Sequence, residues 1–218
     1  MSRSVFDPGF DALPEVLPVF PLQGALLLPG GRLPLNIFEP RYLNMIGDAL
    51  ARDRLIGMVQ PCDETVEQGA ARIYEIGCAG RITAFSETDD GRYLITLTGL
   101  IRFSVARELE PARGYRQIVP DFKRFRRDLE EDDGAIDRER LLDALGAYFT
   151  CNSIEGDWDT IRQTSDERLV TSLAMICPFE PPEKQALLEA PTLPQRAETM
   201  TAILEMSAHG REGESSTQ

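Results

Sequence analysis

The chain has 218 residues, enough for one large domain or two small ones, and its hydrophobic fraction of 42% is that of an ordinary globular protein. It carries 23 basic against 36 acidic residues, a net charge of −13. Such a balance favours solubility and repels polyanions, so neither nucleic acid nor an anionic membrane is an expected partner.

No stretch approaches the roughly 18–20 apolar residues of a membrane span. The first ten residues contain no apolar run of the kind a signal peptide needs. The four cysteines, Cys62, Cys78, Cys151 and Cys177, are scattered, with no C-x-x-C spacing and no histidine close by. Buried free thiols are expected rather than a disulfide framework or a metal site, and the compartment read from them is the cytoplasm. No cofactor is implied.

Residues 17–37 read as short apolar strands broken by turns. Each proline there removes a ladder donor, which places these strands at edges, ends or bulges of a sheet. Pro29-Gly30-Gly31 is a strong turn signal. Phe38-Glu39-Pro40-Arg41-Tyr42 then opens a helix, with Pro40 in the first turn and Glu39 at the positive end of the dipole. Tyr42, Met45, Ile46, Ala49 and Leu50 fall on one stripe of it.

From Leu55 to Phe122 the period switches to two. Strands are expected at Leu55–Val59 and Tyr74–Phe85. After the turn Thr88-Asp89-Asp90-Gly91 comes the longest, with Tyr93, Ile95, Leu97, Gly99, Ile101, Phe103 and Val105 on one face. Arg92, Thr96, Thr98, Arg102 and Ser104 mark the polar face, and Gly99 marks a bend or bulge. A further strand is expected over Tyr115–Phe122. The basic run Lys123-Arg124-Phe125-Arg126-Arg127 and the acidic run that follows it, through Asp133, read as an exposed connection.

Beyond it the pattern is helical. Leu141, Leu142, Leu145, Tyr148 and Phe149 form one stripe, and Asp157-Trp158 opens a short helix. Thr164-Ser165-Asp166-Glu167 reads as a capping box for a helix that carries Leu169, Leu173 and Ile176 inward. Pro181-Pro182-Glu183 starts another helix, and Thr192-Leu193-Pro194-Gln195 starts the last. The expected organisation is therefore a β-barrel subdomain over 14–122, a charged connection over 123–134, a helical bundle over 135–207 and a disordered tail over 208–218.

The run Leu17-Pro18-Val19-Phe20-Pro21-Leu22, followed by Leu28-Pro29-Gly30-Gly31-Arg32-Leu33-Pro34-Leu35-Asn36-Ile37-Phe38-Glu39-Pro40-Arg41-Tyr42, resembles the N-terminal substrate-binding domain of Lon proteases. It looks closest to bacterial stand-alone proteins made of this domain alone. The resemblance continues through Gly77–Ile82, Leu97–Phe103 and Pro182–Glu189, and covers roughly residues 14–206. Many such proteins carry histidine where this chain has Asn36, so no proton-transfer role attaches to that position. The resemblance implies an α+β fold: a PUA-like antiparallel β pseudo-barrel with one inserted helix, followed by a C-terminal helical bundle. It implies a non-catalytic module of protein quality control that binds unfolded or extended polypeptide, with a protease or chaperone as partner. It implies no catalytic residues.

The residues agree on that last point. A serine–lysine dyad needs a deprotonatable lysine, and Lys123 and Lys184 are the only two lysines. Lys123 falls in the charged connection, and Lys184 reads as an exposed helical residue. The one histidine, His209, falls in the polar tail, and no phosphate-cradling G-x-x-x-x-G-K-[ST] loop occurs. Asp89-Asp90 reads as a turn. The interleaved basic and aromatic residues of 123–127 keep an RNA-binding alternative open, since PUA-like folds include RNA binders. The candidate peptide site is the proline-rich lip of residues 17–37, with Arg32, Asn36, Glu39, Arg41 and Tyr42. The competing location is a cleft between barrel and bundle, around Phe122, Phe125 and Trp158, and for Glu39 and Arg41 a helix cap with a local ion pair is the rival reading.

Overall fold

The computed structural model describes residues 4–62, 71–130 and 134–215, with side chains through Ala208. They fall into two compact units that divide after Glu131. The first holds a six-stranded sheet and one α-helix; the second is helical throughout.

In the first unit, strands β1 (Leu17–Pro21), β2 (Arg32–Ile37), β3 (Leu55–Val59), β4 (Ile76–Glu87), β5 (Tyr93–Ala112) and β6 (Tyr115–Asp121) pair in the order β2-β5-β4-β3-β1-β6. Strand β5 also pairs with β6, so the ladder β5-β4-β3-β1-β6 returns to β5. One sequence expectation is corrected. The sheet is not wholly antiparallel, because β1 runs parallel to β3, with Val19 opposite Gly57. β1 is also not an edge: it pairs with β3 on one side and β6 on the other. Its prolines, Pro18 and Pro21, occupy its second and last positions.

The length of β5 makes this closure possible. Its first half pairs with β2 and β4, and its second half with β6. Between the two the register slips: Ala79 faces Ile101 while Gly80 faces Gly99, so Leu100 is an extra residue on β5. An inserted residue bends and twists a strand. Gly99 is needed here because a Cβ would lie 2.0 Å from the Leu28 carbonyl oxygen. The turn after Leu28 is bonded to this point, with Gly30 N–H donating to Gly99 O and Gly99 N–H to Gly31 O, both at 2.9 Å. The inward residues Leu97, Ile101 and Phe103 are fully buried.

Helix α1 (Pro40–Leu50) buries Tyr42, Met45, Ile46 and Ala49 of the stripe its spacing predicts, while Leu50 is half-buried. The Lys123–Leu129 segment is a 3-10 helix that belongs to the first unit, with Lys123, Arg124, Arg126 and Arg127 exposed. Phe125 is buried, and the ring of Phe122 meets Phe103 edge-on. The acidic residues 131–133 lie outside the described residues.

The second unit contains α2 (Arg138–Asn152), α3 (Trp158–Gln163), α4 (Asp166–Ile176), α5 (Pro181–Glu189) and α6 (Leu193–Ser215). Asp137 caps α2 and Asp157 caps α3 by accepting from the backbone N–H three residues on, at Arg140 and Thr160. The expected capping box at Ser165 does not form; Ser165 makes no side-chain cap bond. The box lies instead at α5, between Glu180 and Glu183. In α4, Leu169 and Leu173 are buried as expected, but Ile176 is 78% exposed, and Val170 and Ala174 complete the inner face. Helix α6 continues through Ser215 where a disordered tail was expected from residue 208. Ala208 is buried and its carbonyl accepts from the Cys151 thiol, which anchors α6 to α2 at that point.

Candidate functional site

Strand β2 is the one strand that, among the described residues, pairs on a single side. In its register with β5, Arg32 faces Thr98, Pro34 faces Thr96 and Asn36 faces Leu94. The Gly99 N–H bond to Gly31 O belongs to the same register. Antiparallel pairs alternate between bonded and non-bonded, so Leu33, Leu35 and Ile37 face the ladder. The backbone groups of Arg32, Pro34 and Asn36 then point to the open edge. Pro34 therefore costs no ladder bond, as an edge proline should not. The edge offers two N–H donors, at Arg32 and Asn36, with the gap at Pro34 between them. The side chains of Arg32, Pro34 and Asn36 are exposed.

The other three predicted residues form a separate group at the start of α1. The Arg41 guanidinium bonds Glu39 at 2.8–2.9 Å and stacks over the Tyr42 ring at 4.5 Å. Tyr42 is buried against Phe20, their centroids 4.2 Å apart, and burial pushes its phenol above the usual range. Glu39 and Arg41 thus pair with each other; Glu39 stands at the N-cap position of α1 but makes no side-chain cap bond. Two of the five predicted residues, Arg32 and Asn36, share the open strand.

The rival location draws its residues from both units. Phe122 and Phe125 belong to the first unit; Trp158 packs on Phe149 in the second, centroids 5.7 Å apart. The basic run has local partners too. Arg124 stacks on Phe125 at 5.3 Å and Arg126 on Phe10 at 4.7 Å. Arg102, placed by its sequence position on the polar face of β5, is buried instead. It binds Asp128 through Nε at 2.9 Å and Nη2 at 2.6 Å, and its guanidinium lies 4.9 Å from the Phe125 ring.

The candidate dyad lysines diverge from expectation in one case. Lys123 is exposed, but Lys184 is buried in α5, with 7% of its surface accessible. The start of a helix does not tell which face a residue takes. Burial lowers the Lys184 pKa, and the neighbouring Cys177 thiolate would raise it; burial pushes the Cys177 thiol up to about 11. A thiol so raised is a poor nucleophile at neutral pH. The Asp89-Asp90 turn is structural: Thr88 and Arg92 hold Asp90, and the Thr88 hydroxyl bond keeps its carboxyl below the usual range. Among the described residues no cluster of side chains could hold a metal ion, and no helix is long and apolar enough to cross a membrane. The side chain of His209 lies outside the described residues.

The fold is similar to that of a Lon N-terminal domain protein from Xanthomonas campestris, with a TM-score of 0.61, 24% identity, and 86% of this chain and 97% of that one covered. The N-terminal domain of Mycobacterium avium complex Lon protease aligns with the same TM-score of 0.61, at 14% identity over 87% of this chain and 97% of that one. The chain belongs to the family of ATP-dependent protease La (LON) substrate-binding domains, which matches residues 16–206.

Full-length relatives are matched only in part. The chain is 33% identical to Lon protease 2 of Myxococcus xanthus over 116 residues, which is 51% of this chain and 14% of that protein. It is 26% identical to the Lon protease of Heliobacterium modesticaldum over 201 residues, 87% of this chain and 24% of that protein. The chain thus spans a quarter or less of these relatives, and the family match is to the substrate-binding domain alone.

Proposed function

We propose that the chain is a non-catalytic substrate-recognition module that takes up extended polypeptide along the open edge of β2. The β-unit is read as a PUA-like pseudo-barrel with β2 as its lip, and the whole as a cytoplasmic adaptor or regulator in protein quality control, working with a protease or chaperone. The open edge carries this reading. An unpaired strand recognises a peptide through main-chain bonds, and side chains beside it supply selectivity. Here Arg32 and Asn36 supply both the free N–H donors and the exposed side chains, while Pro34 limits the edge to short pairings. That restraint suits a module that must release what it holds. The net charge of −13 favours this reading over RNA binding.

The test is binding of a permanently unfolded, fluorescently labelled polypeptide to wild type, Arg32→Ala and Asn36→Pro. Asn36→Pro deletes an edge donor without touching the ladder to β5. The reading expects at least about tenfold weaker binding for Asn36→Pro, the equivalent of roughly 1.4 kcal/mol, with thermal stability retained. Undiminished binding by a folded Asn36→Pro protein would overturn the β2 edge as the site.

A further inference from the structure

The two units divide the charge unequally. Residues 132–218 contain 7 basic and 17 acidic residues, a net of −10 out of the chain's −13. On this acidic unit α5 and α6 enclose an open groove of about 720 Å³. Its α6 wall is a single stripe, Gln195, Glu198, Thr199, Ala202 and Met206, at helical spacing. The opposite face of α6, with Ala197, Met200, Thr201 and Leu204, is spent on the core.

Most of the lining is apolar: Ala186 from α5, Ala190 and Pro191 just beyond it, and Ala202 and Ile203 from α6. Met206, 63% exposed, stands at one end with a side chain flexible enough to adapt to different contacts. The charged residues that line the groove are Glu183 and Glu198, and no lysine or arginine lines it. Two nearby cations are turned away, and a third, Arg140 of α2, is bonded to Glu205 and acts on Glu198 at longer range. Arg196 is buried, donating to the carbonyls of Leu187 and Ala190, and Lys184 is buried on the other side of α5's stripe from Glu183 and Ala186.

We propose that this groove is a second contact surface, and that it takes a polypeptide segment combining apolar side chains with arginine or lysine. An exposed apolar surface rimmed by polar groups marks a protein contact, and the alanines let a backbone or a leucine-sized side chain approach closely. The carboxylates at the rim, within a unit of net −10, select the sign of the partner. A second copy of this chain is the wrong sign, since it would bring Glu183 and Glu198 against an equally acidic surface. The inference deepens the recognition reading by naming the chemistry of the bound segment, and it uses residues that β2 does not share.

The test uses the full chain and a short fluorescein-labelled peptide of leucine, alanine and arginine, with a matched peptide in which glutamate replaces arginine. Anisotropy is read for wild type, Glu198→Arg, Ala202→Glu and the edge variant Asn36→Pro. Glu198 and Ala202 make no side-chain bond to the core, and Glu183 is left alone because it closes the α5 capping box. The proposal expects the arginine peptide to bind at least about tenfold tighter than the glutamate peptide. It expects Glu198→Arg to weaken binding about tenfold and Ala202→Glu to abolish the preference for the arginine peptide, a preference that Asn36→Pro retains whatever it costs in total binding. Loss of that preference in Asn36→Pro alone would assign the peptide to β2, leaving the recognition reading standing and this inference overturned. Equal binding of both peptides, no binding of either, or concentration-dependent dimerisation removed by Ala202→Glu would overturn it as well.

Discussion

Gly99→Ala is the substitution to which the β-unit is expected to be most sensitive, and its cost follows from the geometry. A Cβ at Gly99 would meet the Leu28 carbonyl oxygen at 2.0 Å and the Leu28 carbonyl carbon at 2.7 Å. Both are backbone atoms and cannot rotate away. Relief requires the Leu28–Gly31 turn to lift off β5, which breaks the two 2.9 Å bonds joining Gly30 and Gly31 to Gly99. Overpacking of this kind costs about 1–3 kcal/mol, and each lost backbone bond costs about 1 kcal/mol more. The sum is about 3–5 kcal/mol, a large share of the roughly 5–15 kcal/mol that holds a domain folded. At about 4 °C per kcal/mol for a unit of this size, the melting temperature should fall by roughly 12–20 °C. Urea and thermal unfolding followed by far-UV circular dichroism measure it. Gly47→Ala is the control: it is exposed in α1, its Cβ would meet nothing within 4 Å, and it should stabilise by about 0.5–1 kcal/mol. A Gly99→Ala protein within about 1 kcal/mol of wild type would show that the turn yields freely, and the argument from close approach would fail.

Two further outcomes follow from buried charge. Asp128→Ala leaves the Arg102 guanidinium without the carboxylate that binds it at 2.6 and 2.9 Å, and should destabilise by about 3–5 kcal/mol in urea titrations; a change below about 1 kcal/mol would mean that water reaches the arginine easily. Lys184 has a folded pKa below its unfolded value of 10.5, so its charge opposes folding at neutral pH, and that opposition fades as pH rises through the folded pKa towards 10.5. Relative to wild type, Lys184→Met should therefore lose ground in urea midpoint as the pH rises from neutral towards 10; a difference that moves the other way would reverse the assignment.

Local pattern carried the elements well and the long-range partners poorly. The alternation of Tyr93 to Phe103 and the stripe of α1 are properties of neighbours in sequence, and both appear in the structure. Arg102 was read as solvent-facing because its partner lies 26 residues away, in a segment whose own charges suggested solvation. The parallel pairing of β1 with β3 had no local sign at all. Prolines did point to an open strand, but they mark the same preference in β1, where terminal positions hide them, and in β2, where the edge does. Of the candidate site, Arg32 and Asn36 were legible as residues beside unpaired backbone. The ion pair of Glu39 and Arg41 was legible only as an alternative. The α5–α6 groove went unread, since Gln195, Glu198 and Ala202 look like an ordinary solvated helix face until α5 is laid beside them.

The pairing of β1 has a consequence for how the protein is made. β1 is synthesised first, yet its neighbours are β3 and β6, and β6 ends only at Asp121. While the ribosome works from Pro21 to Tyr115, the apolar Leu17, Val19 and Phe20 have no complete site to enter. Their shelter must come from β3 first and is finished only when β6 arrives. The nascent chain thus carries its own sticky leading strand for most of the translation of this unit, and Pro18 and Pro21, each lacking an N–H, leave that strand fewer donors with which to pair wrongly.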